Sequence, residues 1–509
     1  MVGSARPRPR PTHYLSGDGR VVRAKKRSLI WRLLRLLVIL ACLGAVAGGA
    51  MAGVVLTQIG RAPREWAPYL QRRALTHPPL IVDSVDLVAW WLIHADRLAH
   101  AEPFKLPASL GASPDRSGPT PDGHLRLVSS SPALAEAAAD AKPGDVIQLA
   151  PGHYRFASSS IKFNQPGTAI APITVRAARL DDVVIESDVV ETFHVAAPFW
   201  RFENLSMRGV CGDHSGCEHA IHVVAGATDV VIRNNRFEDY NAHLKINGED
   251  GRFPDRGVVE GNTFTNSAPR YTGNPVTPID LVAASDWHIR TNIIADFVRA
   301  GEGAATYGAF VKGAGEGNVM ERNLVVCEWK LRGIPGQQVG LSLGGGGTDL
   351  YARREAGRTG FEQVGGVIRD NLIASCDDDG IYLNRAARSV IDHNTLLDTA
   401  GIDARFVETS ATVTANIVDG AVRVRDGASL RAFDNAAPFL LSLFAGWHPQ
   451  RGLFTEPGAL DLTWRKEPDR LPAGDSPNGD VRIDLCGHQR DNQTEPGAFD
   501  DFSKCLAGQ

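Results

Sequence analysis

A handful of side chains stand where their types and spacing could do chemistry. Lys245 lies between Leu244 and Ile246, Asp280 between Ile279 and Leu281, Lys312 follows Val311, and Tyr382 lies between Ile381 and Leu383. In an extended chain the apolar neighbours face one way and the polar residue the other. If these segments stack, Lys245, Asp280, Lys312, Ser342 and Tyr382 form one outward column with rungs about 4.8 Å apart, a linear groove suited to an extended polymer. A Lys beside an Asp and a Tyr supplies base and acid for abstracting the proton next to a uronate carboxylate, while cations neutralise that carboxylate. The same column also reads, and more simply, as solvated side chains ion-paired along a ladder. The glycines around Lys312 leave its strand phase open, since a one-residue shift turns the side chain to the other face.

Other candidates are more local. Asp377-Asp378-Asp379-Gly380 is the densest acidic spot. Paired carboxylates beside a glycine suit glycoside hydrolysis or Ca²⁺ binding, and equally suit a sharp turn. Ca²⁺ is the one cofactor the sequence offers, and no set of metal ligands is assigned. Trp329 and Arg332, on the segment after Asn323, could stack a sugar ring and pair its carboxylate, or pack the loop. His219, His222 and His243 lack metal-ligand spacing and read as surface or turn residues. Gly344–Gly347 is not followed by Gly-Lys-Ser/Thr, which leaves a hinge before the excursion at 348–364 rather than a phosphate loop.

The elements that must position these residues come from a repeat. An apolar residue, two positions, Asn, one position and a large apolar residue recur, as in Val259-Glu260-Gly261-Asn262-Thr263-Phe264 and Ile289-Arg290-Thr291-Asn292-Ile293-Ile294. The series runs through Asn204, Asn235, Asn262, Asn292, Asn323, Asn371, Asn394, Asn416 and Asn435, with steps of 19 to 48 residues and the shortest near 22. Periods of this length imply a solenoid. Short β-branched stretches with period-2 alternation and Gly-rich turns exclude helical repeats, and the Leu frame of leucine-rich repeats is absent. The reading is an all-β parallel β-helix over 125–435. Its Asn residues tolerate a left-handed turn and hydrogen-bond the same amide one coil away. Residues 131–141 predict a short helix with Pro132 in its first turn, capping the first coil. Residues 60–124 read as a juxtamembrane helical segment and linker, and 436–509 as the second cap.

The chain has 509 residues, 43% hydrophobic and 22% charged, which excludes a disordered chain, a collagen and a polytopic membrane protein. Its 52 Gly against 4 Met and 8 Tyr lean towards a turn-rich β architecture. The net charge of −4 hides an asymmetry: residues 1–35 hold ten basic side chains against Asp18 alone. A basic tail on an acidic body argues against nucleic acid as partner. Leu36 to Ile59 carries no charge over 24 residues, enough to span a bilayer. The expectation is an N-terminal transmembrane helix at 36–59, with Ala50-Met51-Ala52 as a signal-cleavage alternative. Either way 1–35 stays cytoplasmic and the rest reaches the periplasm or the exterior, single-pass at the inner membrane. Of seven cysteines Cys42 lies in the apolar run, leaving an even, oxidisable set of six. Cys211 with Cys217 is the best local pair and Cys486 with Cys505 the next.

Pro143-Gly144-Asp145-Val146-Ile147-Gln148-Leu149-Ala150-Pro151-Gly152-His153-Tyr154, then Pro172-Ile173-Thr174-Val175-Arg176-Ala177, resembles the opening of secreted right-handed β-helix proteins. Among them it is most similar to the chondroitinase B/alginate lyase polysaccharide lyases of the pectin-lyase-like superfamily, over about residues 125–435. The resemblance implies a Lys base on one coil, for which Lys312 is the match, an Arg on the next, and an acidic Ca²⁺ cluster beside them. Ser342 and Leu343 stand where the Arg belongs, and Ala305 and Tyr307 where carboxylates belong. Pectin-hydrolysing β-helices carry Gly-His-Gly and Arg-Ile-Lys, which do not occur. The resemblance implies a polysaccharide lyase acting on uronate-containing chains, and the apolar run at 36–59 makes it a membrane-anchored one. The alternative is a non-catalytic carbohydrate-binding or envelope scaffold with a degenerate site. A sugar epimerase would share the carbanion chemistry but has no signature here.

Overall fold

The computed structural model describes residues 29–301, 305–334, 336–346, 348, 352–354, 360–472, 482–491 and 493–506. The chain divides into two compact units, Met1–Gln58 and Ile59–Gln509. The first contributes nearly all of helix α1, Leu29–Ile59. Within α1, Leu34–Ile59 is 26 residues long, and with an 18-residue stretch of mean hydropathy 2.3 it is long and apolar enough to cross a membrane. The basic stretch before residue 29 lies outside the described residues.

The second unit is a right-handed parallel β-helix. Each full coil contributes one short strand to each of three sheets, of twelve, ten and ten strands. The first sheet runs from His124–Val128 to Ser429–Phe433, the second from Ile161–Phe163 to Ala421–Arg425, and the third from Gly152–Phe156 to Ile417–Val418. Strands pair in parallel with their equivalents one coil away. Inward positions stack like on like: Ile232, Val259, Ile289, Met320, Ile368 and Ile391 rise up the first sheet, each fully buried. Phe163, Phe193, Trp200 and Phe202 fill the early coils edge to face.

The corner between the first and third sheets is held by an asparagine ladder. Asn262 donates its Nδ2 to the Asn292 side-chain oxygen at 3.1 Å and its backbone N–H to that same oxygen at 2.9 Å. Its second amide hydrogen goes back one coil to the Ile232 carbonyl at 2.9 Å. Asn292, Asn323, Asn371, Asn394 and Asn416 repeat this pattern, and Asn435 ends it. Two details differ from the sequence reading. The left-handed residue is the one before each ladder Asn: φ is +54° at Thr291, +52° at Arg322 and +53° at Asp370. The ladder also begins at Leu205, whose N–H donates to the Asn235 oxygen, whereas Asn204 sits one residue early and pairs with Asn234. The 48-residue step from Asn323 to Asn371 is spanned by the same bond at 3.0 Å, so its extra residues leave the coil without disturbing the corner.

Helix α2, Pro63–Ala74, and helix α3, Pro79–Asp96, pack on each other and dock on the late coils. Helix α4, Ser131–Ala139, caps the first coil: Ser130 accepts the Ala133 N–H, and Leu134, Ala137 and Ala138 are buried. Residues 101–111 form a strap tied by backbone bonds to Gly458, Ala459, Cys505 and Thr291. The segment after 436, expected to cap the last coil, instead lies along the outer face of the third sheet. There Phe454, Leu462, Phe499 and Phe502 cover Ile293, Leu324, Leu372 and Leu397. The last strand of the first sheet, Ser429–Phe433, stays mostly exposed because the tail spends its apolar side chains on that lateral face. Three disulfides form, Cys211–Cys217, Cys327–Cys376 and Cys486–Cys505.

Removing a mid-ladder amide orphans buried groups on both neighbouring coils, at about 1–3 kcal/mol each. Asn292→Ala is therefore expected to lower the denaturation midpoint well below that of Asn435→Ala, whose site at the ladder's end is half open to water. Equal losses in urea unfolding would show that the ladder does not carry register.

Candidate functional site

The outward column of the second sheet is present with one substitution. Register places His222 opposite Lys245, Lys245 opposite Asp280, Asp280 opposite Phe310, Phe310 opposite Ser342, and Ser342 opposite Tyr382. Phe310 occupies the rung expected for Lys312, because Lys312 falls two residues further along and pairs with Val282. Its ammonium returns over the Phe310 ring, 4.3 Å from the centroid. Burial lowers the Lys312 pKa, with Asp280 pulling the other way. Lys245 and Asp280 form an ion pair at 2.8 Å. Three of the four expected catalytic residues thus cluster, while Tyr382 stands three rungs on from Asp280, roughly 14 Å away.

Tyr382 opens into a cavity of about 570 Å³ over the late coils. Its floor is built by the sheet. Tyr307, Val339 and Asp379 occupy corresponding positions on three coils, each directly before a glycine, with Tyr307 paired to Val339. A Cβ on Gly340 would come within 2.5 Å of the Gly380 carbonyl, so the coils close here only because these positions lack side chains. Asp377, Asp378, Arg405, Arg423 and Arg425 line the cavity from the β-helix; Arg61, Arg64, Glu65, Gln71 and Arg72 line it from α2 and its approach.

The helical wall is fastened by buried charge. Arg64, 4% exposed, donates to Asp96 at 2.9 Å, to the Cys376 and Asp398 carbonyls at 2.9 and 2.7 Å, and to the Asp398 carboxylate at 2.9 Å. Arg97 pairs with Glu328, Asp377 and Asp398. Burial alone would raise the Asp398 pKa, but Arg97, Arg64 and Arg332 together hold its carboxyl well below the usual range. Arg332 and Trp329 serve this docking. Arg332 donates to the Leu98 carbonyl and pairs with Asp398, and Trp329 stacks on Phe104 and donates to Glu102. Neither lines the cavity, which takes Gly333 and Ile334 from that loop.

Inside the cavity the charges are unevenly matched. Asp403, fully buried, accepts from Arg423 at 3.0 Å and Arg425 at 2.6 Å, and Glu65 accepts from Arg423 at 2.8 Å. Burial, then the charge of Glu65, pushes the Asp378 carboxyl up to about 7 against the pull of Arg423. Burial, with Asp378, Asp403 and Glu65, pushes Asp379 up as well. The two therefore keep a proton between them near neutral pH. Burial also raises both phenols, partly offset at Tyr382 by Arg405 and Arg425. Asn384 donates to the Tyr382 hydroxyl at 3.1 Å. The cavity thus combines a proton-holding carboxyl pair, two neutral phenols and guanidinium groups. Such an arrangement is of a kind that can hold and pass a proton beside an anionic group.

The acidic turn does not fit Ca²⁺. That ion takes six to eight oxygen ligands, whereas Asp377 is engaged by Arg97 and Asp379 has Arg423 at 3.9 Å. Sequence reasoning marked Tyr307 only as standing where the resemblance expects a carboxylate, and missed Glu65 and the late arginines, since nothing in their local spacing marks them.

No protein-family model matches the chain, and no curated protein matches it. Solved structures do. The chain is similar to pectate lyase Pel9A at 14% identity and a TM-score of 0.49, covering 76% of this chain and 98% of that one. It is similar to the alginate lyase of Paenibacillus sp. str. FPU-7 at 17% identity and a TM-score of 0.38, covering 62% and 99%. A rhamnogalacturonan lyase follows at 12% and 0.43, covering 62% and 87%.

Because Asp378 holds its proton in the fold up to about pH 7, while an unfolded Asp releases it near 3.8, its contribution to stability is lost as pH rises through that window. The melting temperature is expected to fall between pH 5 and pH 8, and Asp378→Asn to flatten that fall. An unchanged slope would place the proton elsewhere.

Proposed function

We propose that this is an exported, membrane-anchored β-helix protein that cleaves uronate-containing polysaccharide by β-elimination in the cavity around Tyr382. What supports the reading is that Asp378, Asp379, Tyr382, Arg405 and Arg425 converge from stacked coils on one cavity. Arg405 and Arg425 bind the sugar carboxylate and acidify the neighbouring C–H. The ionised member of the aspartate pair takes the C5 proton, the C4–O bond breaks as the C4–C5 double bond forms, and the Tyr382 hydroxyl protonates the leaving oxygen. Lys245 and Lys312, about two to four rungs along the same face, continue the cationic strip and hold the extended chain. The three disulfides of the second unit support an oxidising compartment, and α1 with its basic flank supports a single-pass anchor at the inner membrane.

The test is incubation of the full-length, detergent-solubilised protein with alginate, chondroitin/dermatan and pectate, following absorbance of unsaturated uronate ends. Tyr382→Phe is expected to reduce turnover at least about 100-fold, while Lys312→Ala mainly raises KM. Glycan binding without new absorbance would leave the non-catalytic scaffold as the correct reading.

A further inference from the structure

The early coils hold a second cluster on the same face. His194 and His222 lie opposite each other on adjacent coils, and Glu191 stands three residues before His194. The Glu191 carboxylate lies 2.6 Å from His222 Nδ1 and 3.1 Å from His194 Nδ1. One ligand atom from each of the three falls within 4.8 Å of the others. Register separates His222 from Tyr382 by five rungs, roughly 24 Å, so this cluster is independent of the cavity.

Its hydrogen bonding leaves one ring nitrogen of each histidine aimed at the Glu191 carboxylate, where a cation fits. His222 Nε2 lies 2.7 Å from the Asn247 side-chain oxygen, whose amide is oriented by donating to the Gly248 carbonyl at 3.0 Å. The Nε2 hydrogen is thereby committed to Asn247, and the Nδ1 lone pair faces a carboxylate. His194 Nδ1 faces the same carboxylate and is buried without a hydrogen-bond partner. Protonated imidazoles could each donate to one carboxylate oxygen, whereas a single metal ion would take all three ligand atoms at once. Lys162 also reaches Glu191, at 3.0 Å, but its side chain is 50% exposed and free to swing away.

We propose that Glu191, His194 and His222 form a binding site for a divalent transition metal, zinc by ligand type. Two imidazoles and a carboxylate with a fourth position open is the composition of zinc centres that keep a water or take a substrate oxygen. The Asn247 carbonyl supplies the outer hydrogen bond that orients a ligating imidazole. Seating the ion at about 2.0–2.1 Å from each atom needs the closest pair to open by less than about 1 Å. All three side chains are about one-fifth exposed, which leaves the open position accessible to solvent.

The test uses untagged full-length protein, stripped with chelator and re-equilibrated with Zn²⁺ or Co²⁺. One tightly held zinc per chain is expected by elemental analysis, and visible d–d bands of a four- or five-coordinate ion with Co²⁺. His222→Ala and Glu191→Gln are expected each to weaken zinc binding more than about 100-fold in chelator competition, with unchanged circular dichroism. Wild-type protein that retains no zinc, or variants that retain as much as wild type, would overturn the assignment.

Discussion

Register is the constraint from which everything else in this molecule follows. A parallel β-helix has no hairpin turns to fix which residue stacks on which, and a one-residue slip would turn each outward side chain into the core. The asparagine at the corner of the first and third sheets removes that freedom. Each one inside the ladder satisfies two donors and one acceptor from adjacent coils while itself fully buried. Because the bond recurs across steps of 19 to 48 residues, the chain can extrude loops without losing alignment. Only then do outward residues distant in sequence become neighbours in a column.

The second determinant is buried charge. The pair α2 and α3 is fixed to the late coils mainly by Arg64, Arg97, Asp96 and Asp398, supported by His448 and Arg451 on Asp419. Burying such groups is costly unless every one is matched, and here each carboxylate meets more than one cation or N–H. The same network closes one side of the groove. What an unadorned β-helix would present as an open face becomes, around Tyr382, a walled cavity whose low polarisability keeps a proton on Asp378 and Asp379.

Much of this was legible in the residues. The repeat gave the solenoid, the alternation around Lys245, Asp280 and Tyr382 gave the outward column, and the short Cys211–Cys217 step gave a disulfide. The errors are local and have physical causes. Lys312 sits in a Gly-rich strand whose phase the pattern does not specify, and Phe310, apolar yet outward, took its rung. Trp329 and Arg332 carry the chemistry of a sugar subsite but are used to hold the segment from Leu98 to Phe104. His194 and Glu191 drew no notice because ligand spacing in a solenoid is set by coil length, not by the chain's local geometry.

The sequence by itself determined the coil and every rung of the column but the one Phe310 takes, because these depend on short-range alternation and on an amide repeated at the right corner. Only the tertiary structure decided which of those residues share a site. Arg64 and Asp398 are separated by 334 residues, and Glu65 and Arg423 by 358. Their meeting depends on packing the N-terminal helices against the last coils, a long-range electrostatic fit that leaves no periodic trace in the chain.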